Sequence, residues 1–172
     1  ADVNLCSSEG WAPLHFACSY PVGPDSVAMI SLLLQAGARV NARTCSEVHA
    51  WASLNVIRDT TPLGLLLQNY DTALGMSNFV GSMVALLRAG ASLDRITSTG
   101  RSAEEIMRDH HGYVDEEDYI KCQELIAGVR EHGSYKRYLR VPHRKFLRLR
   151  SLLVRRRAIT KDNCLERIAR LP

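Results

Sequence analysis

Aromatic residues are scarce in this chain: Phe, Trp and Tyr make up 6% of its 172 residues. Strands draw on aromatic and β-branched side chains. With apolar content that is mostly Leu, Ala, Val and Ile, the shortage points to helix packing rather than a β-sandwich. Patterned cysteines are missing as well. Cys6, Cys18, Cys45, Cys122 and Cys164 are scattered, odd in number, and nowhere stand as CxxC. A disulfide framework or a zinc cage needs closer spacing, so a reduced, intracellular chain of unknown compartment is expected. No run of 18 apolar residues is present, so no transmembrane segment is expected, and no signal peptide is read in these residues. A Gly-rich phosphate loop and paired catalytic carboxylates are absent too. No catalytic residue, metal ligand or cofactor is therefore assigned.

What is present is self-similarity. Ala1-Asp2-Val3-Asn4 aligns with Gly37-Ala38-Arg39-Val40-Asn41-Ala42 and with Gly90-Ala91-Ser92-Leu93-Asp94. A second motif runs Gly10-Trp11-Ala12-Pro13-Leu14-His15-Phe16-Ala17, then Asp59-Thr60-Thr61-Pro62-Leu63-Gly64, then Gly100-Arg101-Ser102-Ala103-Glu104-Glu105-Ile106. Before two of the Gly-Ala pairs stand Ser31-Leu32-Leu33-Leu34-Gln35-Ala36 and Val84-Ala85-Leu86-Leu87-Arg88-Ala89. In this order the motifs resemble the ankyrin pattern G-x-T-P-L-H-x-A, x-L-L-x-x-G-A and V-N-A. The resemblance implies an all-α ankyrin repeat solenoid, here with a C-terminal helical cap, that binds a protein partner as a scaffold or adaptor.

Each motif has a local physical reason. Proline suits the first helical position, where its missing N–H has no partner to lose. Thr61 before Pro62 can cap a helix, and Ser102 with Glu105 forms a capping box that keeps a helix start although proline is gone. Ala12 stands where a capping Thr belongs, weakening that start by about 1 kcal/mol. Gly37 and Gly90 follow leucine-rich helices and can end them in the left-handed conformation. Inner helices are predicted at Pro13–Ser19, Pro62–Asn69 and Ala103–Asp109, and outer ones at Ser26–Ala36, Asn78–Ala89 and Glu116–His132. Such units bury their leucines only by stacking. Repeats are thus expected at 10–42, 59–95 and 100–133, with 1–9 the end of a preceding one, so that the chain starts within a repeat.

The spacing departs from the family pattern. Pro13 to Pro62 is 49 residues and Pro62 to Ala103 is 41, against about 33 for a standard unit. Extra residues lengthen the inter-helix turns at Tyr20–Pro24 and Tyr70–Ser77. Others enlarge the hairpin-like finger at Arg43–Arg58, where a helical turn around Ala50–Ile57 is expected. Insertions in solenoids collect on one face, often the binding face. By resemblance, ankyrin partners touch finger tips and inner helices, so Arg39, Arg43, His49, Trp51, Arg95 and Thr97 are the candidate partner-binding residues. Trp51 could equally pack the insertion down.

Charge divides the chain. Residues 1–133 hold 9 Lys and Arg against 16 Asp and Glu, a net of −7, while residues 134–172 hold 13 against 2, a net of +11. This basic extension is predicted as a short helix Ser134–Arg140, a longer one over His143–Arg157 begun by Pro142, and a last one, Lys161–Leu171, capped by Thr160. Its candidate basic patch is Lys136, Arg137, Arg140, Arg144, Lys145, Arg148, Arg155, Arg156 and Arg157. Three roles are open to it. It can cap the last repeat's apolar edge with its basic face outward, dock on nucleic acid, ribosomal RNA or an acidic protein surface, or lie on an anionic membrane. Tyr135 and Tyr138, interleaved with cations, suit base or lipid contact as well as packing.

Tyr138-Leu139-Arg140-x-Pro142, Leu147-x-Leu149-Arg150-x-Leu152 and Arg155-x-Arg157-Ala158 are similar to tails of ankyrin proteins from algal genomes. Repeats followed by a leucine-rich helix also resemble the ankyrin-plus-SOCS-box adaptors of ubiquitin ligases. There an elongin-binding helix wants Leu, then Cys four residues on, then an apolar residue. From Leu149 this chain offers Leu153 and Arg157, a mismatch at both later positions.

Two clusters invite chemistry. His15 and Cys18 share one helix face and could form a nucleophile pair, but His15 fills the slot that the ankyrin pattern uses structurally. Asp109, His110, His111 and Asp115 sit in one turn without a recognisable fourth-ligand spacing. Asp115-Glu116-Glu117-Asp118 opens a helix, where negative charge suits the dipole.

Overall fold

The computed structural model describes residues 2–7, 10–19, 25–44, 48–49, 56–57, 59–68, 78–109 and 116–155. Among these, the order is α1 (Pro13–Ser19), α2 (Ser26–Gln35), β1 (Val48–His49), β2 (Val56–Ile57), α3 (Pro62–Gln68), α4 (Phe79–Ala89), α5 (Ala103–Asp109), α6 (Glu116–His132) and α7 (Tyr135–Arg155). Short inner helices stack as α1, α3, α5 and longer outer ones as α2, α4, α6, with α7 against α6. One core runs through the stack, from Leu14, Cys18 and Ile30 through Leu63, Leu66, Phe79 and Leu86 to Ile106, Cys122 and Tyr135. Leu86 and Leu87 are fully inside it and Leu33 and Leu34 partly so, the placement expected from leucines that no single pair can cover.

Local signals act as the sequence implies. Gly64 N–H donates to Thr61 Oγ1 at 3.2 Å, capping α3. Ser102 N–H donates to Glu105 Oε2 at 2.7 Å, and Glu105 N–H donates to Ser102 Oγ at 3.4 Å, the reciprocal box. Gly37 and Gly90 stand at φ 90° and 97° after their helices.

Two expectations are corrected. Val56 and Ile57, placed in a helical turn from sequence, are extended and pair antiparallel with His49 and Val48. Closer to the finger's base, Asp59 N–H donates to Thr44 O at 2.8 Å and Thr44 N–H to Thr60 O at 3.1 Å. A hairpin already zipped from its base extends at less cost than a helix begun alone. The rest of that turn, 50–55, lies outside the described residues, as do the long inter-helix turns at 20–24 and 70–77.

The second correction concerns the tail. The expected break at Pro142 does not occur: α7 is one helix of 21 residues with Pro142 inside it. Proline removes one hydrogen bond and crowds the carbonyl a turn earlier, yet the flanking Leu- and Arg-rich turns favour helix strongly enough to run through it. The final predicted helix, 161–171, lies outside the described residues.

Close approach sets one position that side chains cannot share. A Cβ on Gly64 would lie 2.2 Å from the backbone oxygen of Ile96, which accepts the Thr61 N–H at 3.0 Å. Gly64→Ala gains about 1 kcal/mol of helix propensity but meets backbone that cannot yield, an overpacking cost of about 3 kcal/mol. A net loss of about 2 kcal/mol in urea unfolding is expected. Gly81→Ala, facing only a Val27 methyl at 3.0 Å, should be close to neutral.

Candidate functional site

The fingers are tied to one another by a repeated side-chain clip. Asn4 Nδ2 donates to Gly37 O at 3.1 Å while its Oδ1 accepts Arg39 N–H at 2.8 Å. One repeat later Asn41 donates to Gly90 O at 3.2 Å and accepts Ser92 N–H at 2.9 Å. An amide is needed because one side chain must both donate and accept. At the third equivalent position Asp94 cannot donate, and it takes Arg130 Nη2 at 2.6 Å instead. Arg130 also holds Glu104, its Nε at 2.6 Å from Oε1. The Arg130 hydrogen bond keeps the Asp94 carboxyl below its ordinary range. Where a third clip would have closed the gap, a cleft of about 530 Å³ opens between Leu87–Asp94 and Val129–Lys136.

Of the candidate partner-binding residues, the structure separates clamps from free surface. Arg43 donates Nη1 to Asp59 O at 2.7 Å and Nη2 to Arg95 O, and its Nη1 lies 3.1 Å from Asp59 Oδ1. One guanidinium thus holds the carbonyls of the two non-glycine residues with left-handed backbone among the described residues, Asp59 at φ 48° and Arg95 at φ 50°. Thr97 is buried, its hydroxyl near Thr99 Oγ1 at 3.1 Å and accepting Arg101 N–H at 3.2 Å. It shapes the finger turn and offers a partner nothing. Arg39 and Arg95 are exposed. The backbone of His49 lies in β1; Trp51 lies outside the described residues.

Inner helices contribute unevenly. Pro62 through Leu67 are all buried, so α3 presents only Gln68. α5 exposes Glu105, Arg108 and Asp109. On α1, Phe16 is 45% exposed and its ring centroid lies 5.1 Å from that of buried Trp11. The Trp11 indole Nε1 has no acceptor among the described residues. On α2, Met29 and Leu32 are more than half exposed, on the side away from the α4-facing Val27, Ser31 and Leu34. Sequence reasoning passed over Phe16 and Leu32 because each sits inside a motif that reads as core, and Met29 because it falls within a predicted outer helix.

His15 and Cys18 have structural partners. His15 Nδ1 accepts Ala12 N–H at 3.0 Å, the half of a capping box that Glu105 supplies in the third repeat, and Nε2 lies 3.1 Å from Ala42 O. These bonds require the neutral Nε2–H tautomer. Cys18 is buried, and burial alone pushes its thiol far above the ordinary range, so no thiolate nucleophile stands beside His15. Among the described residues no group of three or more His, Cys, Asp or Glu is placed to hold a metal. Asp109 pairs with Arg101, and His110, His111 and Asp115 lie outside the described residues.

Helix α7 divides in two. Its first turns cap the stack: Tyr135 is buried, and Tyr138 stacks on His132 with ring centroids 6.1 Å apart. Gly128 leaves room for that ring, since a Cβ there would lie 2.4 Å from it. Both tyrosines therefore pack. From Pro142 to Leu149 every residue is exposed, Phe146 and Leu149 at 42% and 60%, and beyond them Leu152 is 46% exposed. The tyrosines already cover the last repeat's apolar edge. Lys136, Arg137, Arg140, Arg144, Lys145 and Arg148 are exposed and make no ion pair among the described residues. Arg155 ends α7; Arg156 and Arg157 lie outside the described residues.

Residues 9–45 match the family model of the ankyrin repeat. A comparison with curated proteins found no match. With the stacked helix pairs, the fold is an all-α ankyrin-repeat solenoid capped by α7, and an ankyrin repeat is a module for binding other proteins. Among the described residues no helix is long and apolar enough to cross a membrane.

Two measurements check these roles. Arg43→Ala removes a shared clamp on two strained carbonyls and should cost about 1–2 kcal/mol in urea unfolding, after discounting its half-exposed ion pair. Burial lowers the His15 pKa against the Ala42 hydrogen bond, which raises it. Below about pH 6.5 the unfolded chain binds a proton there that the folded chain refuses. The neutral histidine's contribution is thus complete above that pH and declines as pH falls toward the folded-state pKa. His15→Gln should flatten part of the fall in urea midpoint on acidification.

Proposed function

We propose that this chain is a non-catalytic scaffold or adaptor whose fingers engage a protein partner, as a subunit of a larger assembly. The observation that carries the reading is at Arg95. Its backbone is held in a left-handed conformation by the Arg43 clamp while its side chain stays exposed. Strain maintained at a surface position is characteristic of ligand-binding sites, and a pinned finger loses little entropy when bound. Arg39, whose N–H is clipped to Asn4, presents a second cation one repeat away. Phe16 adds an exposed aromatic of the kind that anchors interfaces. His49 and Trp51, on the enlarged finger, complete the proposed surface.

A second reading is favoured by α7, with eight Lys and Arg and no Asp or Glu over 21 residues. In the stack, Arg43, Arg101, Lys121 and Arg130 each pair with a carboxylate, whereas the six exposed α7 cations are unmatched among the described residues. Charge left unmatched along one helix suits an anionic partner.

Affinity capture on the full chain, read by mass spectrometry, separates the finger reading from its failure. Arg39→Glu with Arg95→Glu should leave the unfolding midpoint within about 0.5 kcal/mol of the parent and strip the proteins that the parent retains at high salt. Retention of the same set by both chains would overturn finger recognition.

A further inference from the structure

The exposed half of α7 carries two kinds of side chain in register. Leu139, Pro142, Phe146 and Leu149 recur at alternating intervals of three and four and so share one side of the helix. Lys136, Arg140, Arg144 and Arg148 recur every four residues on the opposite side. Leu152 widens the apolar surface past Lys145, whereas Leu147 falls among the cations, between Lys136 and Arg140 around the helix. Leu139, Phe146, Leu147, Leu149 and Leu152 are all between 42% and 60% exposed.

We infer that this half of α7 is an interfacial helix that lies on an anionic lipid bilayer, inserting Phe146 and Leu149 and setting its cations against headgroup phosphates. The inference rests on the second reading above, that α7 meets an anionic partner, and names that partner. Nucleic acid would engage the cationic side alone and leave Phe146 and Leu149 in water. A protein groove would have to place a carboxylate within its apolar lining for each interleaved cation. A bilayer surface meets both demands, because Lys145 can lay its stem in the acyl boundary and send its charged end to the phosphates. Eight cations keep a helix of this length from crossing the bilayer. Each cation near an anionic surface strengthens binding by roughly fivefold.

The test uses the full chain in vesicle flotation, with phosphatidylcholine alone and with phosphatidylcholine and phosphatidylserine at about 70:30, beside retention on polyuridylate RNA. Phe146→Gln with Leu149→Gln, at exposed positions and with a good helix former, should leave the circular dichroism unchanged. Binding is expected only to the mixed vesicles, falling at least 30-fold or so in the double variant, while RNA retention stays at the parent's level. Equal vesicle binding by parent and variant, or RNA retention without vesicle binding, overturns insertion and leaves the anionic-partner reading standing. Absence of both overturns the two together.

Discussion

A seven-residue helix backed by one of ten or eleven cannot enclose its own leucines, and the rest of this structure follows from that shortfall. Leu63, Leu66 and Leu67 on α3 are fully buried because α1, α4 and α5 surround them. Removing three such side chains from water contributes on the order of 7 kcal/mol, a gain available only when neighbouring units are already in place. Stacking is therefore the condition of folding. Gly64 marks how tightly the units come together, since even one methyl there would meet the Ile96 carbonyl.

Stacking by leucines fixes the separation of the units but leaves the fingers free to swing. Polar clips remove that freedom. Asn4 and Asn41 each bond a following Gly carbonyl and a backbone N–H two residues on, and Arg43 spans two fingers with one guanidinium. The third clip changes chemistry, because Asp94 has no donor and turns to Arg130. That one substitution in the repeat pattern marks where the ladder of fingers gives way to the α6–α7 turn and its cleft. Arg130 then ties the last finger to α5 through Glu104, so the end of the stack is held by charge where its interior is held by amides. Such exposed pairs weaken as salt rises; amide clips do not.

The capping helix shows how one element can serve two ends. Tyr135 and Tyr138 complete the core, and the residues beyond Pro142 leave it. In the stack Arg43, Arg101, Lys121 and Arg130 pair with carboxylates, while α7 leaves six cations exposed and unmatched among the described residues. The finger residues and the exposed half of α7 belong to different elements, so the two proposed contacts do not compete for the same side chains.

What the sequence determined by itself was local: helix starts, helix ends and the repeat order. A Pro after a capping Thr, a Ser and Glu three apart, and a Gly after leucines act within one turn of chain, so the positions of α1, α5 and α6 could be read directly. Tertiary structure decided what depends on distant neighbours. Arg43 and Thr97 looked like surface contacts in a finger, yet carbonyls of Asp59 and Arg95, near and far in sequence, make Arg43 a clamp, and packing buries Thr97. Phe16 and Leu32 sit in motif slots that read as core, but nothing described covers them. Pro142 predicted a break because local sterics favour one, and the helix runs on because the turns on either side outweigh a single lost bond.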